Sequence, residues 1–217
     1  MQAIVYVVPA KAVVDAFNAL SFNDKKSSYW SEDEAKAARD AIKDHYIAEQ
    51  DFRCCYCRRQ VLSKNKGDWQ GDHIIARDTH AQFMFEPRNL AICCRGCNGE
   101  KSNKNVLKNP KRKTFPVKSN DYLIVHPHFD DYDAHIRWFG QVCAPRKSSK
   151  GAKTIELCGL MRFAADYAGL DTDVNDRRFD ELVGKLITTN TKLEGNAVLA
   201  SLKVYIDNLP MLGDGTK

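Results

Sequence analysis

The sequence predicts an α+β protein: a small core of β-hairpin and helix braced by paired cysteines, with a strand and helix before it and a helical region after it. Three observations lead there. Cysteines cluster as CCYC at 54–57 and CCRGC at 93–97. Between the clusters, GDHIIARD at 71–78 carries the short apolar run of a strand. From about residue 154 onward, apolar residues recur at helical spacing. The 217 residues, 43% hydrophobic and 28% charged, suit one soluble domain or two small ones.

Taken in order, residues 2–8 (QAIVYVV) read as a strand, and 10–20 as a helix with Val13, Val14, Phe17 and Leu20 on one face. No positive residue precedes this apolar run and no clear cleavage site follows, so a strand is expected rather than a signal peptide. Ser31 and Glu34 have the spacing of a capping box, opening a helix to about residue 50 whose buried stripe is Ala35, Ala38, Ile42 and Tyr46. A short helix is expected after the second cysteine cluster, ending near Pro110. YLIVHPHF (122–129) reads as a strand broken at Pro127, HIRWFG (135–140) as another, and APRKSSKGAK (144–153) as a turn-rich linker. Helices are expected at about 154–168, 174–188 and 195–208, with Phe179, Leu182, Leu186, Leu199, Leu202 and Ile206 facing the core. The chain thus divides into 1–50, 51–118 and 119–217. No apolar stretch approaches the ~18 residues of a membrane span, so a cytoplasmic protein is expected.

Charge is unevenly spread. Residues 52–118 hold 15 Lys and Arg against 5 Asp and Glu, a net of +10, while the rest of the chain is net −5. A basic island of this kind is the footprint of a polyanion site or a solvated basic face. The chain has eight cysteines, and Cys54/Cys57 and Cys94/Cys97 each have C-x2-C spacing. In a reducing compartment such pairs read as structural zinc ligands, four thiolates being enough to close a tetrahedral site. Cys55 or Cys93 is an alternative to its neighbour, and Cys143 and Cys158 read as small buried side chains.

Between the knuckles stand Asp72-His73 and Asn89, and Asn98 follows the last cysteine. A purely structural zinc module has no use for these residues. Their order fits a β-hairpin and helix converging on one metal. The run from about 52 to 105 resembles the HNH endonuclease family, with its ββα-metal core and four-cysteine zinc site. The resemblance implies Asp72 as a metal ligand, His73 as the general base, Asn89 as the residue fixing the loop, and Asn98 as a second ligand where many members have His. Oxygen ligands of this kind favour Mg²⁺ or Mn²⁺ at the catalytic position. Arg77, Lys101, Lys104, Lys111, Arg112 and Lys113 are the candidate phosphate contacts, with DNA the expected partner. His80, His126 and His128 are read as local structure. The layout of the flanks loosely resembles the HNH subunits of retron and Septu-type antiphage systems, which implies an ATPase partner. The alternative is a zinc-stabilised nucleic-acid-binding module without catalysis.

Overall fold

The computed structural model describes residues 1–61, 66–167, 177–189 and 191–207. Its architecture is α+β with two small antiparallel sheets. Helices α1 (Ala10–Ala19) and α2 (Lys36–Glu49) precede the hairpin of β1 (Trp69–His73) and β2 (Leu90–Cys94), and helix α3 (Arg95–Lys101) follows it directly. A second hairpin, β3 (Ile136–Phe139) and β4 (Val142–Pro145), leads into α4 (Ser149–Leu157), α5 (Arg162–Tyr167), α6 (Arg177–Thr188) and α7 (Lys192–Asp207).

The first hairpin lies between two hydrophobic clusters. Trp69, Leu90 and Ile92 pack with Phe17, Ile42 and Tyr46 from the N-terminal helices. Ala91 and Cys93 point the other way, into a core shared with Val106, Ile124, Ile155 and Leu160. Strand β2 is therefore buried on both faces, which is why LAICC is continuously apolar rather than alternating. Its outer edge is closed by a side chain. Gln50 Nε2 donates to Ile92 O (2.7 Å) and its Oε1 accepts from Ile92 N (2.8 Å), so the amide imitates a strand neighbour.

Several expectations are corrected. Residues 2–8 form no strand, because the described chain offers no neighbouring strand; Ile4 N donates to the Tyr46 hydroxyl instead. The helix expected from Ser31 begins at Lys36 with no side-chain cap, and Ser31 and Glu34 sit in preceding 3-10 turns. The expected stripe of Ala35, Ala38, Ile42 and Tyr46 is fully buried. YLIVHPHF is irregular apart from a single Leu107–Tyr122 bridge. The expected linker 144–153 is instead the end of β4 and the start of α4. The helix expected at 154–168 is broken at Gly159, whose φ of +56° ends α4, with Leu160 N returning to Ile155 O. The side chains of Phe179 and Ile206 lie outside the described residues, while Leu186 and Leu202 are buried as expected. Among the described residues no helix is long and apolar enough to cross a membrane.

Candidate functional site

The cysteine cluster forms around two short turns. Arg58 adopts φ +58°, letting its N–H return to Cys54 O (2.9 Å) and closing the first knuckle. Cys94 caps α3, and Cys97 lies one turn further on. The sulfurs of Cys54, Cys57, Cys94 and Cys97 lie within 4.8 Å of one another, and Cys57 and Cys94 are 4.0 Å apart. A tetrahedral ion with ~2.3 Å metal–sulfur bonds needs sulfurs ~3.8 Å apart, so the set fits zinc. Burial opposes ionisation of Cys54, but the neighbouring thiols outweigh it and pull its pKa well below the usual thiol range. Cys55 and Cys93 are buried outside the cluster, and burial raises both thiols. Cys143 and Cys158 are buried as well.

One contact had no local signal in the sequence. Arg162 of α5 places Nη2 3.1 Å from Cys97 Sγ and 4.0 Å from Cys94 Sγ. Its other terminal nitrogen donates to Cys158 O and Gly159 O. A guanidinium here offsets the negative charge that four thiolates would bring around one dication. Gly96 makes room for it, since a Cβ there would come within 3.0 Å of the guanidinium.

The second centre stands at the end of β1. Asp72 and His73 are the last two residues of that strand, so Ile74 and Ile75 leave the ladder and enter the core. The pair therefore ends a strand rather than opening one. Asp72, His73, Arg77 and Asn98 line one polar cavity of about 250 Å³. His73 Nε2 is 3.1 Å from Met84 O. A carbonyl only accepts, so Nε2 carries the proton and Nδ1 keeps its lone pair. Trp30 meets the ring edge-on at 4.4 Å. Burial, with the Arg77 and Lys101 cations adding to it against Asp72, pushes the imidazole down to about 3, so the ring is neutral near pH 7.

Asn89 is fully buried behind this wall. Its Oδ1 accepts from Ile75 N (2.8 Å), and its Nδ2 donates to Ile75 O (3.1 Å) and Phe83 O (3.0 Å). One amide thus ties together both ends of the 74–89 loop. Tyr46 and His128 brace the same stretch by bonding Pro87 O (2.6 Å) and Leu90 O (2.8 Å).

Asp72 is 3% exposed and already partnered. Tyr56 donates to Oδ2 at 2.5 Å, and Lys101 Nζ reaches Oδ1 at 2.9 Å. Lys101 is 1% exposed and also donates to His73 O at 2.9 Å. Burial works against its charge, but Asp72 more than compensates and its pKa rises. Lys101 was expected among the phosphate contacts; its burial and ion pair place it inside the wall instead. Of the other candidate contacts, Arg77 lines the cavity and its buried Nε lacks a hydrogen-bond partner. Lys104, Lys111 and Lys113 are exposed away from it, and Arg112 pairs with Asp121 at 2.9 Å. Tyr56, Trp30 and Met84 were missed, since nothing in their spacing links them to residues 72–73.

Asp72 and Asn98 line this polar cavity and are of the oxygen-donor type that suits a hard divalent cation, though each Asp72 oxygen already accepts a hydrogen bond, from Tyr56 and from Lys101.

No family model matches the chain. It is similar to the Septu protein PtuB of Bacillus thuringiensis, 27% identical over 119 residues. The match takes in 55% of this chain and spans 40% of that protein's length. The kinship shown is thus a distant one, of a chain with a four-cysteine cluster to a Septu protein.

Proposed function

We propose that this chain is a metal-dependent endonuclease of the HNH kind that hydrolyses DNA phosphodiester bonds. The observation that carries the reading is the placement of His73: its ring is held at Nε2 by Met84 O, and it shares a cavity wall with Asp72 and Asn98. Nδ1 is then the atom that takes a proton from water, and a base of this kind contributes about 10²–10⁴-fold to rate. Arg77 lines the cavity, paired at 3.9 Å with Asp78 but with no hydrogen bond at Nε, and its guanidinium suits a phosphate oxygen. Trp30 and Met84 hold the ring, Asn89 holds the loop that carries Met84, and none of them moves a proton. A divalent ion bound by Asp72 and Asn98 would supply positive charge to the scissile phosphate and its leaving oxygen.

The similarity to a Septu protein supports a role as effector in a bacterial antiphage system; an ATPase partner is part of this reading through the resemblance of the flanks alone. Structural zinc on the four cysteines would hold the hairpin–helix unit in shape.

One observation favours the second reading, a nucleic-acid-binding zinc module without catalysis: Lys101 already neutralises Asp72. Supercoiled plasmid incubated with the purified chain separates the two. The nuclease reading expects nicking with Mg²⁺ or Mn²⁺ and none after chelation. Intact plasmid under every divalent ion tried favours the binding module.

A further inference from the structure

We propose a second phosphate-binding site, built mostly from residues outside the basic island and separate from the His73 cavity, that takes the phosphodiester backbone of the nucleic acid. This rests on the reading of the chain as acting on DNA. A cavity of about 560 Å³ is lined by Lys108, Arg146, Lys147, Lys150 and Lys153, and no Asp or Glu is among its lining residues. The part of the chain that supplies four of these five cations lies in the acidic frame of the sequence, so the concentration is not a by-product of overall charge.

The walls are tied together by close packing and hydrogen bonds. Helix α4 starts at the rim, adding the positive end of its dipole. Its first turn lies directly against the residue that precedes β3: a Cβ at Gly151 would meet His135 O at 2.2 Å, so only glycine allows the approach. Ser148 Oγ accepts from Gly151 N (3.1 Å) and bonds His135 Nδ1 (2.5 Å). Lys150 is held by the Asp130 carboxylate and Ser119 and belongs to the wall. Lys153 pairs with Glu156 on the surface. Lys108, Arg146 and Lys147 are exposed, and among the described residues no carboxylate lies within ion-pair distance of any of them. Lys147 takes φ +40°, a conformation that lysine seldom adopts and that here closes the turn between β4 and α4.

Three uncompensated cations at the mouth of a carboxylate-free cavity call for an anion with several charges. Of the two lining rings, Tyr122 is fully buried and His135 is tied to Ser148 through Nδ1, and no Phe or Trp lines the cavity to offer a broad face to a base. The groups recognised are therefore phosphates and not bases, which makes the contact independent of sequence.

The test uses the full chain carrying His73→Ala, so that no cutting intervenes. Duplex DNA binding is followed by anisotropy over a range of salt, with and without Lys108→Gln, Arg146→Gln and Lys147→Gln together. Each lost contact should lower the slope of log K against log salt by about 0.9, so the triple change should flatten it by up to about 2.7, equally on unrelated sequences. Zinc content and melting temperature should match those of the parent. If the triple variant folds poorly, Arg146→Gln and Lys147→Gln are read singly, each expected to remove about 0.9. Lys11→Gln, Lys25→Gln and Lys36→Gln together change net charge equally and should leave the slope alone. An unchanged slope in the cavity variant overturns the proposal, as does an equal loss in the control. Pyrophosphate binding measured by calorimetry separates the sources: binding that the triple change abolishes while the DNA slope stays put assigns the cavity to a free phosphorylated molecule and overturns the backbone assignment. Failure of the nuclease reading shows elsewhere, as absence of divalent-dependent plasmid cutting by the unsubstituted chain.

Discussion

His73 and Lys101 illustrate how far a side chain's surroundings change what its identity suggests. As a sequence letter, His73 is a base with an ordinary value of 6.5; in the fold, burial pushes it to about 3. Burial also pushes His126 and His128 below the same ordinary value. The unfolded chain takes up protons on these rings as pH falls below 6.5, and the folded chain resists. Stability should therefore drop from pH 6.5 downward, the His73 share levelling off near 3. Thermal melts across this range check it; a melting temperature constant to pH 4 would count against neutral burial. Lys101 reads as a phosphate contact in the sequence but lies beneath the cavity wall, bonded to Asp72. Lys101→Met should cost the metal-free protein about 3–5 kcal/mol, because it leaves a buried carboxylate without a counter-charge. Added Mn²⁺ should then raise the melting temperature more in the variant than in the parent, since the ion takes over the missing charge. Equal shifts in both would mean that Asp72 does not bind the ion.

At the scale of elements, what was legible in the sequence was local. The C-x2-C spacing and the apolar stripe of α2 depend on neighbours a turn apart, and both expectations agree with the structure. Residues 2–8 have strand composition but no partner strand among the described residues, and a strand cannot form without one. Gly159 and the turn into α4 depend on backbone geometry that helical periodicity does not encode. Arg162 reaches the thiolates across 65 residues, and Tyr56 reaches Asp72 across 16, so neither pairing has a spacing to recognise. The arrangement makes the knuckles the support of both the hairpin and α5. Cys97→Ser should lower zinc content and melting temperature together, because a closed thiolate site contributes directly to folding. Cys55→Ser should leave zinc content unchanged, as its sulfur is outside the cluster. Metal analysis of the two purified variants decides the ligand set: retention of zinc by Cys97→Ser would exclude it.

At the scale of the whole molecule, one hairpin serves two cores and presents the candidate site at its end. The N-terminal helices press Trp30 onto His73, the C-terminal helices bring Arg162 to the cysteines, and the loop between the strands carries Asn89 and Met84. Flanks that the HNH resemblance leaves unexplained thus act as supports for the site. On this account the work is divided: cysteines hold shape, Lys and Arg hold phosphates, and His73 alone moves the proton. The most direct test is plasmid cleavage by His73→Ala measured beside its zinc content, melting temperature and DNA affinity. The account predicts a loss of about 10²–10⁴-fold in cleavage rate, not restored by excess Mn²⁺, with little change in the other three. Cleavage by His73→Ala at the rate of the unsubstituted chain would contradict it.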